Sequence, residues 1–343
     1  MQIIREGLAK NRRDALNLST KIGAERMRLH LKEAETDLIL RLKSMDRRMK
    51  GTFTDSQMQA TLTQVRHVLR GMAPGMRNVI VDTGLEAADS ATGGVVEYLG
   101  RMNAKYTGLG SSSLALDEST MFTTARRGAR ASILRRLISS GSDIPGADPD
   151  SHLAKRGVID RYGINVVNEF ESSMRIGIVT KQPWETMLDS ITKASPFLQG
   201  APRSWAERIV RTEVMNSYNA AGDEATQEAN EQLGDMVKIL SATFDDRTGS
   251  DSYAVHGQIR RTEELFDTWY GQMQHPPARP NDREIVVPHR ISWPLPPYLM
   301  PRSRGEVVAR WKKEKRKGAP PPTPENTTVP RNRFGVEPPP RIR

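Results

Sequence analysis

Proline sets the broadest limit on how this chain folds. Sixteen of its 22 prolines lie at or beyond Pro276. The proline ring locks φ and removes a backbone donor, so helix interiors and central strands exclude it. Regular structure therefore belongs before that point and extended chain after it.

Within the proline-poor part, apolar residues recur at helical spacing. Residues 5–50 read as one long helix or two, through Leu8, Leu16, Ile22, Met27, Leu31, Ile39 and Leu42. A second helix spans 55–70 (Met58, Leu62, Val65, Leu69), and Gly71-Met72-Ala73-Pro74-Gly75 is expected to end it. A further helix covers 79–104, weakened by Gly93-Gly94, and Gly108 to Ser113 reads as a turn. Another follows near 117–138, with Asp117 as its N-cap. Gly141 to Asp150 is the expected internal boundary, rich in Pro, Gly, Ser and Asp. Helices are then predicted over 151–179, 182–193 and 203–234, the last entered at Pro202 and left at Gly234.

After Gly234 the texture changes. Met236 to Leu240 and Ala242 to Phe244 suggest a strand, and 259–270 and 284–288 supply a short helix or strands. The fold class is mainly α: long N-terminal helices, a small α+β C-terminal subdomain and an extended basic Pro-rich tail. The domain division is a helical region at 1–140, a compact domain at 150–290 and the tail at 291–343.

Composition narrows the chemistry. The chain has no cysteine, so a disulfide, a thiolate metal site and a cysteine nucleophile are all excluded. No run approaches the ~18 apolar residues of a membrane span. No Gly-x-x-x-x-Gly-Lys-Ser/Thr loop, strand-linked Gly-x-Gly-x-x-Gly or Gly-x-Ser-x-Gly elbow occurs. The net charge of +10 is localised: residues 302–343 hold 12 Lys/Arg against 4 Asp/Glu. Within that tail Arg310, Trp311, Lys312, Lys313, Lys315, Arg316 and Lys317 put an aromatic inside a basic cluster. Such a cluster can neutralise phosphates and stack on bases, meet an acidic protein surface, or remain a solvated tail.

Three short pieces between 211 and 283 carry the remaining signal. Helix 203–234 holds Arg211, Thr212, Glu213 and Asn219; its apolar stripe is Trp205, Ile209, Val210, Val214, Tyr218 and Ala225. Asp246, Arg247 and Thr248 follow, then His256 and Gly257. The third piece runs from Pro276 to Arg283 and includes Pro277, Asn281 and Arg283. For the helix residues the expected role is hydrogen bonding that ties helix to strand. Asp245, Asp246, Asp251 and His256 also admit a divalent-metal reading, because carboxylate oxygen and imidazole suit such ions. Asp-Asp-Arg-Thr-Gly is equally ordinary turn chemistry. His275 and His289, beside prolines, read as surface or packing residues.

The order and type of these pieces resemble the phage Mu F-like head-morphogenesis (minor head protein) family, over roughly residues 150–290. Asp282 and Glu284 stand where that family's pattern commonly has a Cys-x-Cys pair. The resemblance implies a non-enzymatic minor capsid protein without a cofactor. Its expected partners are the portal protein, the major capsid protein and phage DNA, in the host cytoplasm during assembly and then in the virion. Two other classes stay open: a DNA-binding structural protein outside the virion, and a metal-dependent hydrolase or nuclease using Asp245, Asp246 and His256.

Overall fold

A computed structural model describes residues 2–46, 54–108, 114–138, 158–183, 186, 189, 202–279, 282–314 and 320–322. The chain is mainly helical, with long N-terminal helices and a small C-terminal sheet region. In order, the elements are α1 (Gln2–Asp46), α2 (Asp55–Thr107), α3 (Glu118–Ile138), α4 (Val158–Val179), α5 (Pro202–Leu233), β1 (Met236–Ser241), α6 (Ser250–Val255), β2 (Ile259–Arg261), β3 (Phe266–Thr268), β4 (Gly271–Met273), β5 (Ile285–Arg290), a 3₁₀ turn (Pro297–Leu299) and α7 (Arg304–Lys313). No described helix is long and apolar enough to cross a membrane.

The chain divides into two compact units: Ser19–Thr83 with Leu134–Arg211, and Met1–Leu18, Gly84–Ile133 and Thr212–Arg343. The boundary expected at 141–150 lies outside the described residues, as does most of the helix expected at 182–193.

In the first of these units, α1 and α2 form an antiparallel pair. Gly23 faces Thr83, Gly75 faces the His30 ring, and Arg41 Nη1 donates to Gln64 Oε1 at 3.2 Å. Each step up one helix is a step down the other. The reason is in the spacing. Met58, Leu62, Val65, Leu69, Met72, Met76, Val79 and Thr83 are all buried, alternating three and four residues apart, which is the seam of a coiled coil. Met27, Leu31, Ala34, Leu38 and Leu42 supply the opposing row.

One expectation fails here. The glycines and Pro74 do not end a helix at residue 71; α2 runs unbroken from Asp55 to Thr107. A proline inside a helix costs about 3 kcal/mol. Here Pro74 lies on the exposed side, so the carbonyl it leaves unpaired faces water. Leu69, Met72, Met76 and Val79 are buried around it, and burial of each contributes roughly 1.5–3 kcal/mol. Packing outweighs propensity.

In the second unit α3 buries Met121, Ala125, Ala129 and Ile133 at every fourth position. Asp117 caps it, accepting from the Thr120 N–H at 3.1 Å. Helix α5 is buried on nearly every side from Thr212 to Asp223, its polar face included. Gly84 lets α2 approach: a Cβ there would lie 2.6 Å from both Ile133 and Ser217.

The sheet is antiparallel with order β2-β1-β5. Lys238 of the central strand faces Arg260 on one side and Pro288 on the other. Pro288 is tolerated because β5 is an edge strand. The segments expected as a short helix or strands are strands, and β3 pairs with β4 as a separate hairpin. Leu240, Val255, Phe266 and Val286 form the small core beneath, with Met273 against it.

The tail differs from its expectation. Residues 304–313 are helical, not extended, because Ser303 and Glu306 form a reciprocal capping box and no proline falls between 302 and 319. Val307 and Trp311 are buried one turn apart, and the Trp311 ring lies 5.2 Å from that of Trp269.

Lys238 is fully buried in an otherwise apolar strand. Its Nζ donates to Asp223 Oδ1 and to the Gln274 carbonyl, both at 3.0 Å, joining α5, β1 and the loop after β4. Gln274 and Gln227 donate to the other oxygen of Asp223 at 2.8 and 3.0 Å. Replacing Lys238 alone by Met leaves a buried carboxylate unpaired and should cost about 3–5 kcal/mol in urea unfolding; adding Asp223→Leu should recover most of it. Equal losses for the single and double variants would contradict the pairing.

Candidate functional site

The three sequence pieces converge at one end of the sheet, and each is held by a different device. Asn219 is where helix meets strand. Its Nδ2 donates to the Glu284 carbonyl at 2.9 Å, and its Oδ1 accepts from the Val286 N–H at 3.0 Å. One side chain thus completes both backbone groups at the start of β5. Thr212 and Glu213 are buried on the same helix, and Asn216 donates to Ser132 at 3.0 Å. Arg211 does not join them; it pairs with Glu207 one turn back at 2.8 Å.

The turn after β1 is built by Asp245 rather than Asp246. Asp245 Oδ1 accepts from the Arg247 N–H at 2.9 Å, and Thr248 Oγ1 accepts from the Asp245 N–H at 3.0 Å while donating to the Thr243 carbonyl. The Arg283 guanidinium closes a two-pronged bridge onto the Asp245 carboxylate, one prong at 2.7 Å. That hydrogen bonding holds the Asp245 carboxyl well below the usual carboxylate range. The Asp246 side chain is fully exposed, with Lys313 Nζ 3.8 Å from its Oδ1, and its carbonyl accepts from Arg310 Nη2 at 2.6 Å.

His256 is a bracket. Its buried ring accepts from the Ala242 N–H through Nδ1 at 3.0 Å, so Nε2 carries the proton and donates to the Tyr298 carbonyl at 3.1 Å. Burial, reinforced by Arg302, pulls its pKa down to about 4. Phe244 packs edge-on against it. Gly257 follows at φ +80°, and a Cβ there would sit 2.5 Å from the Pro301 nitrogen, so only glycine fits. Its N–H donates to the Leu240 carbonyl at 2.8 Å.

The metal reading of Asp245, Asp246, Asp251 and His256 does not assemble. Asp245 is bound to Arg283, Asp246 faces water, Asp251 lies with Arg279, and both His256 nitrogens meet backbone. No group of three or more His, Asp or Glu among the described residues is placed to hold a metal ion.

Pro277 is buried and follows Pro276 through a cis peptide bond; His275 contacts the Pro276 carbonyl. Asn281 lies outside the described residues. Beside it, Asp282 and Glu284 are both buried and adjoin Asp251. Burial, then the charge and hydrogen bond of Asp282, push Glu284 well above the usual carboxylate range.

Helix α7 seals this end. Glu314 accepts from the Ser250 N–H at 2.7 Å and from its hydroxyl at 3.0 Å, and so covers the first turn of α6. Arg310 reaches Glu314 and lies over the Tyr253 ring. Of the basic cluster, Trp311 is therefore packing and Arg310 is bound inward; Lys312 and Lys313 are exposed, and Lys315, Arg316 and Lys317 lie outside the described residues.

No family model, curated protein or solved structure matches this chain.

Lys238 and Glu314 were not signalled by any motif, and Arg279 lay inside the third piece with no role assigned to it. Lys238 alone left a trace, a charge in the apolar run Met-Val-Lys-Ile-Leu.

Two predictions follow from these contacts. Asn219→Leu should cost about 2–4 kcal/mol of stability, two buried backbone groups being stranded at once; thermal unfolding measures it, and a change within about 0.5 kcal/mol would mean that water replaces the amide. His256 and His289 both titrate near pH 4, below the unfolded value of 6.5. The unfolded chain then binds more protons between those values, so stability is full above about pH 6.5 and falls as pH drops toward 4, by up to roughly 3 kcal/mol per histidine. Urea midpoints across that range should show the slope, and His256→Gln should reduce it.

Proposed function

We propose that this chain is a minor head protein of a tailed phage, acting in head morphogenesis through association with the portal and procapsid. The observation that carries this reading is the use to which the Mu F-like motif residues are put. Asn219, Thr248, His256, Gly257 and Arg283 are spent on backbone hydrogen bonds, one ion-pair fork onto Asp245 and one close backbone approach. A motif whose residues brace a fold suits a protein selected for what it binds. The long paired helices, α1 and α2, add extended surface for docking on repeated subunits.

The chain carries no catalytic constellation in this reading and needs no cofactor. DNA contact falls to the exposed cations of the tail, Arg304, Lys312 and Lys313, with Lys315, Arg316 and Lys317 beyond them. Trp311 has no part in base stacking.

A tagged chain recovered from phage-producing cells should bring down portal or major capsid protein as its leading partner by mass spectrometry. Recovery of nucleic acid with neither protein would overturn the assembly reading in favour of a DNA-binding structural protein. Lys312→Ala with Lys313→Ala should weaken binding to duplex DNA and lower its salt slope by about two; an unchanged slope would remove DNA from the list of partners.

A further inference from the structure

Three carboxyl side chains, Asp251, Asp282 and Glu284, meet at one small cleft rimmed by Trp269 and Tyr270. Asp251 accepts from Tyr270 Oη at 2.8 Å, Arg279 Nη2 at 2.9 Å and the Ser252 N–H at 3.1 Å. Asp282 accepts from the Ala278 N–H at 3.0 Å and lies 3.6 Å from Arg279 Nε. Arg279 is the one cation bridged to this trio among the described residues, since Arg283 is turned to Asp245.

Glu284 has an oxygen to spare. Its side chain lines this cleft and the adjoining one beside Thr248 and Arg283, and Oε2 is buried without a hydrogen-bond partner. An unmet buried acceptor costs about 1–3 kcal/mol. A donor arriving from outside would relieve that cost.

The surroundings specify the donor. Asp251 and Asp282 share one bridged guanidinium, that of Arg279, and Glu284 adds a third carboxyl able to ionise, so the site favours positive charge. The enclosed space is about 10 Å³ here and about 30 Å³ next door, room for one water-sized group. An ammonium has that size; a planar guanidinium does not. A bare metal ion is disfavoured by the carboxyl placement noted above. Trp269 and Tyr270, each 41% exposed, offer flat faces for an alkyl stem and for cation–π attraction.

We infer that this cleft is a docking pocket for the ε-ammonium of a lysine presented by a partner protein, its stem lying across Trp269 and Tyr270. The pocket rests on its own geometry and holds whether or not the chain serves in a phage head. Entry of the ammonium places a charge beside Glu284, which gives up its proton to solvent, so binding releases one proton. Asp251, Ser252, Tyr270 and Asp282 share the cleft with Glu284, Arg279 and Arg283 act on it, and burial, then the charge and hydrogen bond of Asp282, favour its protonated form in the empty pocket.

The test is a titration of the full chain, followed by NMR, with acetyl-Gly-Lys-Gly-amide and with its arginine and norleucine counterparts. Saturable shifts of the Trp269 indole signal are expected with the lysine peptide, at least tenfold weaker ones with arginine, and none with norleucine. The lysine affinity should rise with pH by up to tenfold per unit while Glu284 is protonated. Glu284→Gln mimics the protonated side chain and should keep the unfolding temperature while abolishing that pH dependence. Trp269→Ala, on an exposed rim, should weaken the lysine peptide several-fold without touching the carboxyls. Equal binding of lysine and norleucine peptides, no saturation, or an unaltered pH profile in Glu284→Gln would each overturn the proposal.

Discussion

Between helix α5 and the central strand lies one ammonium group with no access to water, that of Lys238. Removing such a charge from solvent costs several kcal/mol, and only a well-made set of partners offsets it. Asp223, the Gln274 carbonyl and the face of Phe266, 5.2 Å away, supply that set. Burial still pulls the ammonium below its ordinary pKa, against the opposing pull of Asp223. The pair is therefore a constraint on geometry more than a source of stability. It fixes which turn of α5 meets which residue of β1, and the loop after β4 cannot form without closing over it.

Everything at the motif end of the sheet follows from that placement. With α5 registered against β1, Asn219 comes opposite the start of β5 and fixes it. With β5 fixed, Arg283 reaches Asp245, and the turn after β1 closes. His256 and Gly257 then bring the 297–301 segment against the end of β1, from which α7 returns to cover α6. Each device is short-range and needs the one before it. The aromatic rim and the carboxyl cluster open outward from the same scaffold, so the surface proposed for docking is held rigid by the residues that brace the fold.

The helical period of α1 and of the first turns of α2 was legible because it repeats, but Pro74 and its flanking glycines masked the continuation of α2 and with it the seam that the two helices share. Gly234, at φ +78°, ended α5 where a helix stop was expected. Asn219 joins helix to strand as its type suggested, whereas Arg211 turns back to Glu207 and the Asp246 side chain lies at the surface. The roles of Asp245 and Asp246 were not separable, since two adjacent aspartates differ only in which way the turn points them. Trp311 was misread because a tryptophan among lysines looks the same whether it faces solvent or a neighbouring indole. Lys238, Arg279 and Glu314 act through partners 15, 28 and 64 residues away, and no local pattern encodes separations of that kind.

The sequence by itself determined the mainly helical architecture with its long N-terminal helices, the change to strands after Gly234 and the absence of cysteine chemistry, because periodicity and composition are local properties. Only the tertiary structure decided that a proline could sit inside α2, that the basic tail begins as a docked helix, and that the acidic residues divide into ion pairs and a cleft instead of a metal site. Those outcomes depend on which distant groups share a buried space, and the free energy of a charge or a polar atom is set by that company.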